Sequence, residues 1–251
     1  VVAMLEESGF RCCVLKGQGN AVMYPNPDMR TSGDIDVWVD GTREEVMAFV
    51  KERLSEADMR FHHVEFPVFR DVPVELHFIP VSMNNPLYNR RMQRWFEGRK
   101  DEQMQNWVEL PEGAGKIPVP TWEFNIVYQL AHMMHHFFDE GIGLRQMMDY
   151  YYLLRITDNG QQTTDSGRLI ATLKYLNLYH FAGAVMWVLH EVMGLEKCLF
   201  IVPADERRGR LLLDEILKGG NFGQHSGLTR HGMGTKYFLK IKRNMRFVRA
   251  Y

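Results

Sequence analysis

Two aspartates stand one residue apart in the run Ser32-Gly33-Asp34-Ile35-Asp36-Val37-Trp38-Val39. In a strand, alternate residues share a face, so Asp34 and Asp36 point one way. Ile35, Val37 and Val39 then point the other way, into a core. Two carboxylates converging at a strand end repel each other unless a cation lies between them. A hard divalent cation such as Mg²⁺ is the usual partner for oxygen ligands of this kind. By itself D-x-D is a weak signal, because a solvated turn carries the same three letters. The surroundings make it specific. Upstream, the apolar run Cys12-Cys13-Val14-Leu15 ends in Lys16-Gly17-Gln18-Gly19-Asn20. Downstream, Val74-Glu75-Leu76-His77-Phe78 alternates again, with Glu75 on its polar face. Strand, glycine turn, D-x-D strand and acidic strand form a four-part pattern.

That pattern suits phosphate chemistry. Backbone N–H groups after a glycine turn, at the start of a helix, favour phosphate charge. Lys16 and Arg30 can neutralise phosphate oxygens, Arg30 with bidentate geometry. Lys16 reads equally well as an ordinary surface lysine. His77 shares a face with Glu75, so it can reach a metal shell or simply fill the rim of a cleft.

These residues need a scaffold. Val2 to Ser8 reads as a helix stopped by Gly9, and Arg11 to Leu15 as a strand. Gly17 and Gly19 make a tight turn, with Asn20 expected to cap a short helix through Tyr24. Thr42 and Glu45 form a capping box ahead of the apolar stripe Val46, Phe49, Val50 and Leu54. Strands are expected over about Phe61 to Phe69 and Val72 to Ile79, joined by a turn at Arg70-Asp71. A helix carrying Arg90, Arg91 and Arg94 is expected over about 84 to 104. Short β segments are expected near Trp107-Leu110 and Ile117-Val119. From Pro120 the pattern turns helical: Thr121 to Phe138, Leu144 to Arg155, Gly167 to Leu176, His180 to Met193 and Asp205 to Leu217. After a glycine-rich stretch, a last helix is expected from about Thr235 to Tyr251. The mixed front and helical back divide the chain into residues 1–119 and 120–251.

Composition narrows the class. With 251 residues, 45% of them hydrophobic, the chain can bury a sizeable core. No run approaches the roughly 18 apolar residues of a membrane span, and no signal-peptide pattern opens the chain. The chain begins at Val1 inside an apparent helix, which leaves room for a preceding segment. Three cysteines, two of them adjacent in an apolar strand, make neither a disulfide framework nor a metal motif. They fit a reducing compartment, so the cytoplasm is the expected location.

Net charge is −1, but it is uneven. After Asp214 and Glu215 the acids cease, and Lys218, Arg230, Lys236, Lys240, Lys242, Arg243, Arg246 and Arg249 follow. Such a basic end can attract nucleic acid, yet the aromatic interleaving of a single-strand track is thin. A solvated helix face accounts for it better. His132, His135 and His136 have H-x-x-x-H spacing without the H-E-x-x-H glutamate, so lining or core histidines are the simpler reading. Arg145 and Asp149 stand four apart and can pair along one helix face. Arg145 can alternatively face a cleft, as can His132. Tyr150-Tyr151-Tyr152 reads as helix packing.

The segments Leu15-Lys16-Gly17, Tyr24-Pro25, Arg30, Gly33-Asp34-Ile35-Asp36-Val37 and Val74-Glu75-Leu76-His77 resemble the DNA polymerase β-like nucleotidyltransferase superfamily. The likeness is greatest to an uncharacterised bacterial nucleotidyltransferase family with Lys-Gly at the first turn, and Gly143-Leu144-Arg145 to Asp149 resembles its helical part. The resemblance implies an α+β fold: a small mixed sheet with flanking helices, then an all-helical subdomain. It implies two Mg²⁺ ions with bound NTP, held by Asp34, Asp36 and Glu75, with Glu75 helping to deprotonate the attacking hydroxyl. Lys16, Gly17, Gln18, Arg30, Ser32 and Gly33 would bind the nucleotide, with His77, His132 and Arg145 near by. The superfamily turn is commonly Gly-Ser, and here Gln18 follows Gly17. The activity implied is transfer of an NMP group from an NTP, ATP foremost, to a hydroxyl on a small molecule or protein. Two other readings stand beside it: a catalytically silent member of the fold, and a nucleic-acid-binding protein using its basic end.

Overall fold

A wholly apolar run at Cys12–Val14 (β1) and alternating runs at Ile35–Val39 (β2), His63–Glu65 (β3) and Val74–His77 (β4) build one sheet. The computed structural model describes residues 1–31, 33–54, 62–139, 141–156 and 166–219. The strands lie in the order β1-β2-β4-β3. β1 is antiparallel to β2, β2 parallel to β4, and β4 antiparallel to β3. The sheet is therefore mixed, and the protein is α+β. The parallel pair matters most: its register sets Asp36 opposite Glu75 and Trp38 opposite His77.

Parallel neighbours need a crossover. The helix Arg43–Lys51 (α3) lies between β2 and β4 in the chain, started by the Thr42–Glu45 capping box. With Val2–Glu7 (α1) it covers one face of the sheet. Leu5, Val46, Phe49 and Val50 pack there against Cys12, Val37, Val39, Val64, Val74 and Leu76. Cys12 and Cys13 are buried and act as small apolar residues. Leu76 is wholly enclosed in an interior strand. Leu76→Ala is expected to lower stability by about 2–5 kcal/mol, read as a fall in the urea midpoint at unchanged slope.

The opposite face carries Asp36, Glu75 and His77 towards one end. Farther along β2, Trp38 stacks on Phe124 with 5.8 Å between centroids. An aromatic wall thus adjoins the polar residues.

Several expected elements differ in extent. The strands around residues 63 and 75 are shorter than expected, so their connection runs from Phe66 to Pro73, with the bend at residues 69–72 where the turn at Arg70-Asp71 is expected. Pro67 and Pro73 cannot donate to a ladder, which limits both strands. Phe61 lies outside the described residues. The single helix expected over 84–104 is two, Pro86–Glu97 (α4) and Lys100–Gln105 (α5). Gly98 has low helix propensity, and Arg99 leaves helical geometry at φ −126°. Asn20 is not a cap: Gly17 stands before the short helix Gln18–Ala21 (α2), and Asn20 is buried within it. Trp107–Glu109 (β5) and Lys116–Pro118 (β6) form a separate antiparallel pair.

Trp122–Asp139 (α6), Leu144–Arg155 (α7), Ser166–Tyr175 (α8), Tyr179–Met193 (α9) and Glu206–Gly219 (α10) follow. Contacts divide the chain into two units, Val1–Asn125 and residues from Ile126 onward, with the division inside α6. Among its described residues the second unit is helical throughout. α9 forms its centre, with Phe181, Val185 and Leu189 fully buried. α10 lies close along it: a Cβ on Gly209 would come within 2.5 Å of Trp187. The basic last helix expected from Thr235 lies outside the described residues. No described helix is long and apolar enough to cross a membrane.

Candidate functional site

The site begins where β1 ends. Leu15 donates its N–H to the Asp36 carbonyl at 2.8 Å, which keeps the chain beside β2 up to the turn. Gly17 then takes φ +69° and ψ −120°, a backbone region that side chains disfavour. A Cβ there would also stand 3.2 Å from the Asp34 carbonyl oxygen. Gly17→Ala is expected to cost about 1–3 kcal/mol of stability, seen as a lower melting temperature. Two residues on, a Cβ at Gly19 would meet the Val14 carbonyl at 2.7 Å. The glycines allow the turn to close against the Asp34 and Val14 carbonyls.

Asp34 lies just ahead of β2 and Asp36 within it. Both face Lys16, whose Nζ is 3.0 Å from Asp36 Oδ2 and 3.9 Å from Asp34 Oδ2. Across the parallel ladder, His77 Nε2 lies 3.0 Å from Asp36 Oδ1 and 3.2 Å from Glu75 Oε2. His63, opposite His77 on β3, brings Nδ1 within 3.3 Å of Glu75 Oε2. Ligand atoms of Asp36, Glu75 and His77 lie within 4.8 Å of one another.

The electrostatics follow from burial and pairing. Burial pushes the Asp36 carboxyl up, but Lys16 and His77 outweigh it and hold it well below the usual carboxylate range. Burial pulls His77 down, and its bonds to Asp36 and Glu75 more than reverse that. Lys16 is likewise raised: the charges of Asp36 and Asp34 overcome its desolvation. Glu75 is lowered despite burial, chiefly through its bond to His77. The carboxylates of Asp36 and Glu75 are thus held ionised.

Gly17, Gln18 and Arg30 line one cavity of about 750 Å³, with Pro25, Asp28 and Pro111 among its other walls. This volume lies within the range of small-molecule sites. Gly33 is half-buried between Arg30 and Asp34 in the chain, and Ser32 lies outside the described residues.

A family model described as an uncharacterised nucleotidyltransferase matches residues 1–194. The chain belongs to that family. No curated protein matches it. The nucleotidyltransferase match includes both aspartates, Glu75, the glycine turn and the helices through α9. Membership implies a nucleoside triphosphate substrate.

Nucleotidyltransferases generally depend on divalent metals, and the donor set fits one. Asp36 and Glu75 offer hard oxygens in one cluster. The Lys16 ammonium stands as an internal cation between Asp34 and Asp36. Asp34 joins the others through Lys16 rather than as part of the tight cluster.

His132 and Arg145 belong to the second unit, on α6 and α7, outside the unit that holds the carboxylates. His132 Nε2 lies 3.1 Å from His136 Nε2 on the same helix. The sequence reading overlooked His62 and His63. The antiparallel register of β3 with β4 is what sets His63 opposite His77. Strand extents alone do not reveal that register.

Proposed function

We propose that this nucleotidyltransferase moves an NMP group from ATP to a hydroxyl on a small molecule or protein. One observation carries the reading: the parallel β2–β4 register sets Asp36 beside Glu75, next to a glycine turn that opens onto a cavity. The acceptor oxygen attacks the α-phosphorus. The bond from that phosphorus to the β-phosphate oxygen breaks, and pyrophosphate leaves with the electron pair.

Asp34, Asp36 and Glu75 would hold Mg²⁺. When bound, the ion supplies stabilisation of charge on the phosphate oxygens. The chain's own groups divide the remaining work. Glu75 is 24% exposed and ionised, so it can take the hydroxyl proton. Asp36, at 1%, cannot meet an acceptor and instead anchors Lys16 and His77. His77 fixes both carboxylates by bonding each. Backbone N–H groups at the start of α2 and the Arg30 guanidinium favour the triphosphate. Gln18 is exposed at the cavity and offers an amide where the superfamily turn commonly has serine.

Isothermal titration of Mg-ATP into wild type and into the Asp34→Ala/Asp36→Ala double variant tests the reading. Heat of binding with wild type and its loss in the variant are expected. Equal affinities for Mg²⁺ and for Mg-ATP in the two proteins would sink it. The Gly17-Gln18 turn supports a second reading, a catalytically silent member of the family. Pyrophosphate release in the presence of a metabolite panel and labelled ATP would eliminate that one.

A further inference from the structure

His77 uses one ring nitrogen and leaves the other. Nε2 is held by Asp36 and Glu75 at 3.0 and 3.2 Å. Nδ1 is buried and has no hydrogen-bond partner among the described residues. That arrangement is costly in either protonation state, as an N–H without an acceptor or a lone pair without a donor.

Two more imidazoles surround this ring. His63 pairs with it across β3 and β4, and His62 precedes His63. Centroids are 4.7 Å apart for His62 and His63, 5.0 Å for His63 and His77, and 5.4 Å for His62 and His77. One ligand nitrogen from each lies within 4.8 Å of the other two. Three imidazoles bound to one tetrahedral ion, at about 2.1 Å from each nitrogen, have centroids roughly 5 Å apart. The fold already holds the rings at that separation.

We infer that His62, His63 and His77 form a binding site for a borderline transition-metal ion of the Zn²⁺ class. Three imidazole donors favour Zn²⁺ or Co²⁺, whereas Mg²⁺ prefers carboxylate and water oxygens. The groups behind the rings support the assignment. Metal-bound histidines commonly turn their second nitrogen to a carboxylate, which fixes tautomer and orientation. Asp36 stands in that relation to His77 Nε2, with Glu75 also within 3.2 Å of it, and Glu75 Oε2 lies 3.3 Å from His63 Nδ1, a contact of charge rather than a hydrogen bond. His77 then offers Nδ1, and His63 offers Nε2. His62 is half-buried, so it leaves an approach from solvent and room for a water as fourth ligand. The two carboxylates behind the rings balance the charge of the ion. This site goes beyond nucleotidyl transfer and does not require it.

The test uses the whole chain, stripped with a chelator and titrated with Zn²⁺ and, separately, Co²⁺. One Zn²⁺ per chain is expected, and Co²⁺ should give the intense visible absorption of a four-coordinate ion. The His62→Gln/His63→Gln double variant should weaken Zn²⁺ by more than about 100-fold, beyond the loss of an outer partner. The Mg²⁺ titration of His62→Gln alone should match wild type. If the double variant misfolds by circular dichroism, His62→Gln alone carries the comparison. Asp34→Ala should abolish nucleotidyl transfer and leave Zn²⁺ binding intact, so failure of one reading does not mimic failure of the other. Absent Zn²⁺ binding, a weak six-coordinate Co²⁺ spectrum, or affinity unchanged in the histidine variant would overturn the inference. The last result would place the ion on Asp36, Glu75 and His77.

Discussion

Asp36→Asn is expected to reduce nucleotidyl transfer on the order of 10³-fold, since carboxylate-held metal ions supply several kcal/mol of transition-state stabilisation. The same change should destabilise the protein. Asp36 is the shared counter-charge for Lys16 and His77 and is itself only 1% exposed. Asparagine keeps the shape and removes the charge, leaving an ammonium and a buried imidazole facing a neutral amide. Removing one partner of a buried ion pair costs about 3–5 kcal/mol. Lys16 is 16% exposed and also faces Asp34, so the low end applies. Urea unfolding in metal-free buffer measures it. Adding Lys16→Met to Asp36→Asn removes the stranded ammonium and should recover part of the stability, but none of the activity. An Asp36→Asn protein that is as stable and as active as wild type would remove Asp36 from the site.

Lys16→Met alone should raise affinity for Mg²⁺ about tenfold, equivalent to about 1.4 kcal/mol. The lysine ammonium now lies against both aspartates, where a divalent ion would compete with it. Without the ammonium the carboxylates repel each other in metal-free buffer, and the melting temperature should drop. Mg²⁺ should then restore it, because an ion that binds only the folded state stabilises that state by mass action. The readout is the rise in melting temperature on adding Mg²⁺, larger for Lys16→Met than for wild type. A smaller rise would mean that Lys16 assists cation binding. A normal rise with lost ATP affinity would assign it to phosphate.

The local elements were legible where their signals are local. Thr42 and Glu45 specify a capping box within four residues, and α3 begins there. The stripe Val46, Phe49 and Val50 identifies its buried face. Helices from Trp122 onward follow from apolar periodicity. Asn20 misled because asparagine is a common cap, whereas a glycine with φ +69° sets the start of α2. The break at Gly98–Arg99 also escaped, because the apolar pattern continues across it.

By itself the sequence determined which residues can carry charge and phosphate chemistry. Alternation set Asp36 and Glu75 on the polar faces of their strands, and the glycines required a tight turn. Side-chain direction along a strand is a property of neighbouring residues, so sequence can specify it. Pairing is not: β2 and β4 are separated by 34 residues between Val39 and Val74, and only the folded sheet decides that they run parallel in the Asp36–Glu75 register. Tertiary structure alone also gave Lys16 to the aspartates and placed His63 against Glu75. Those partners are chosen by distance in space, and the competition among buried charges there sets which group neutralises which.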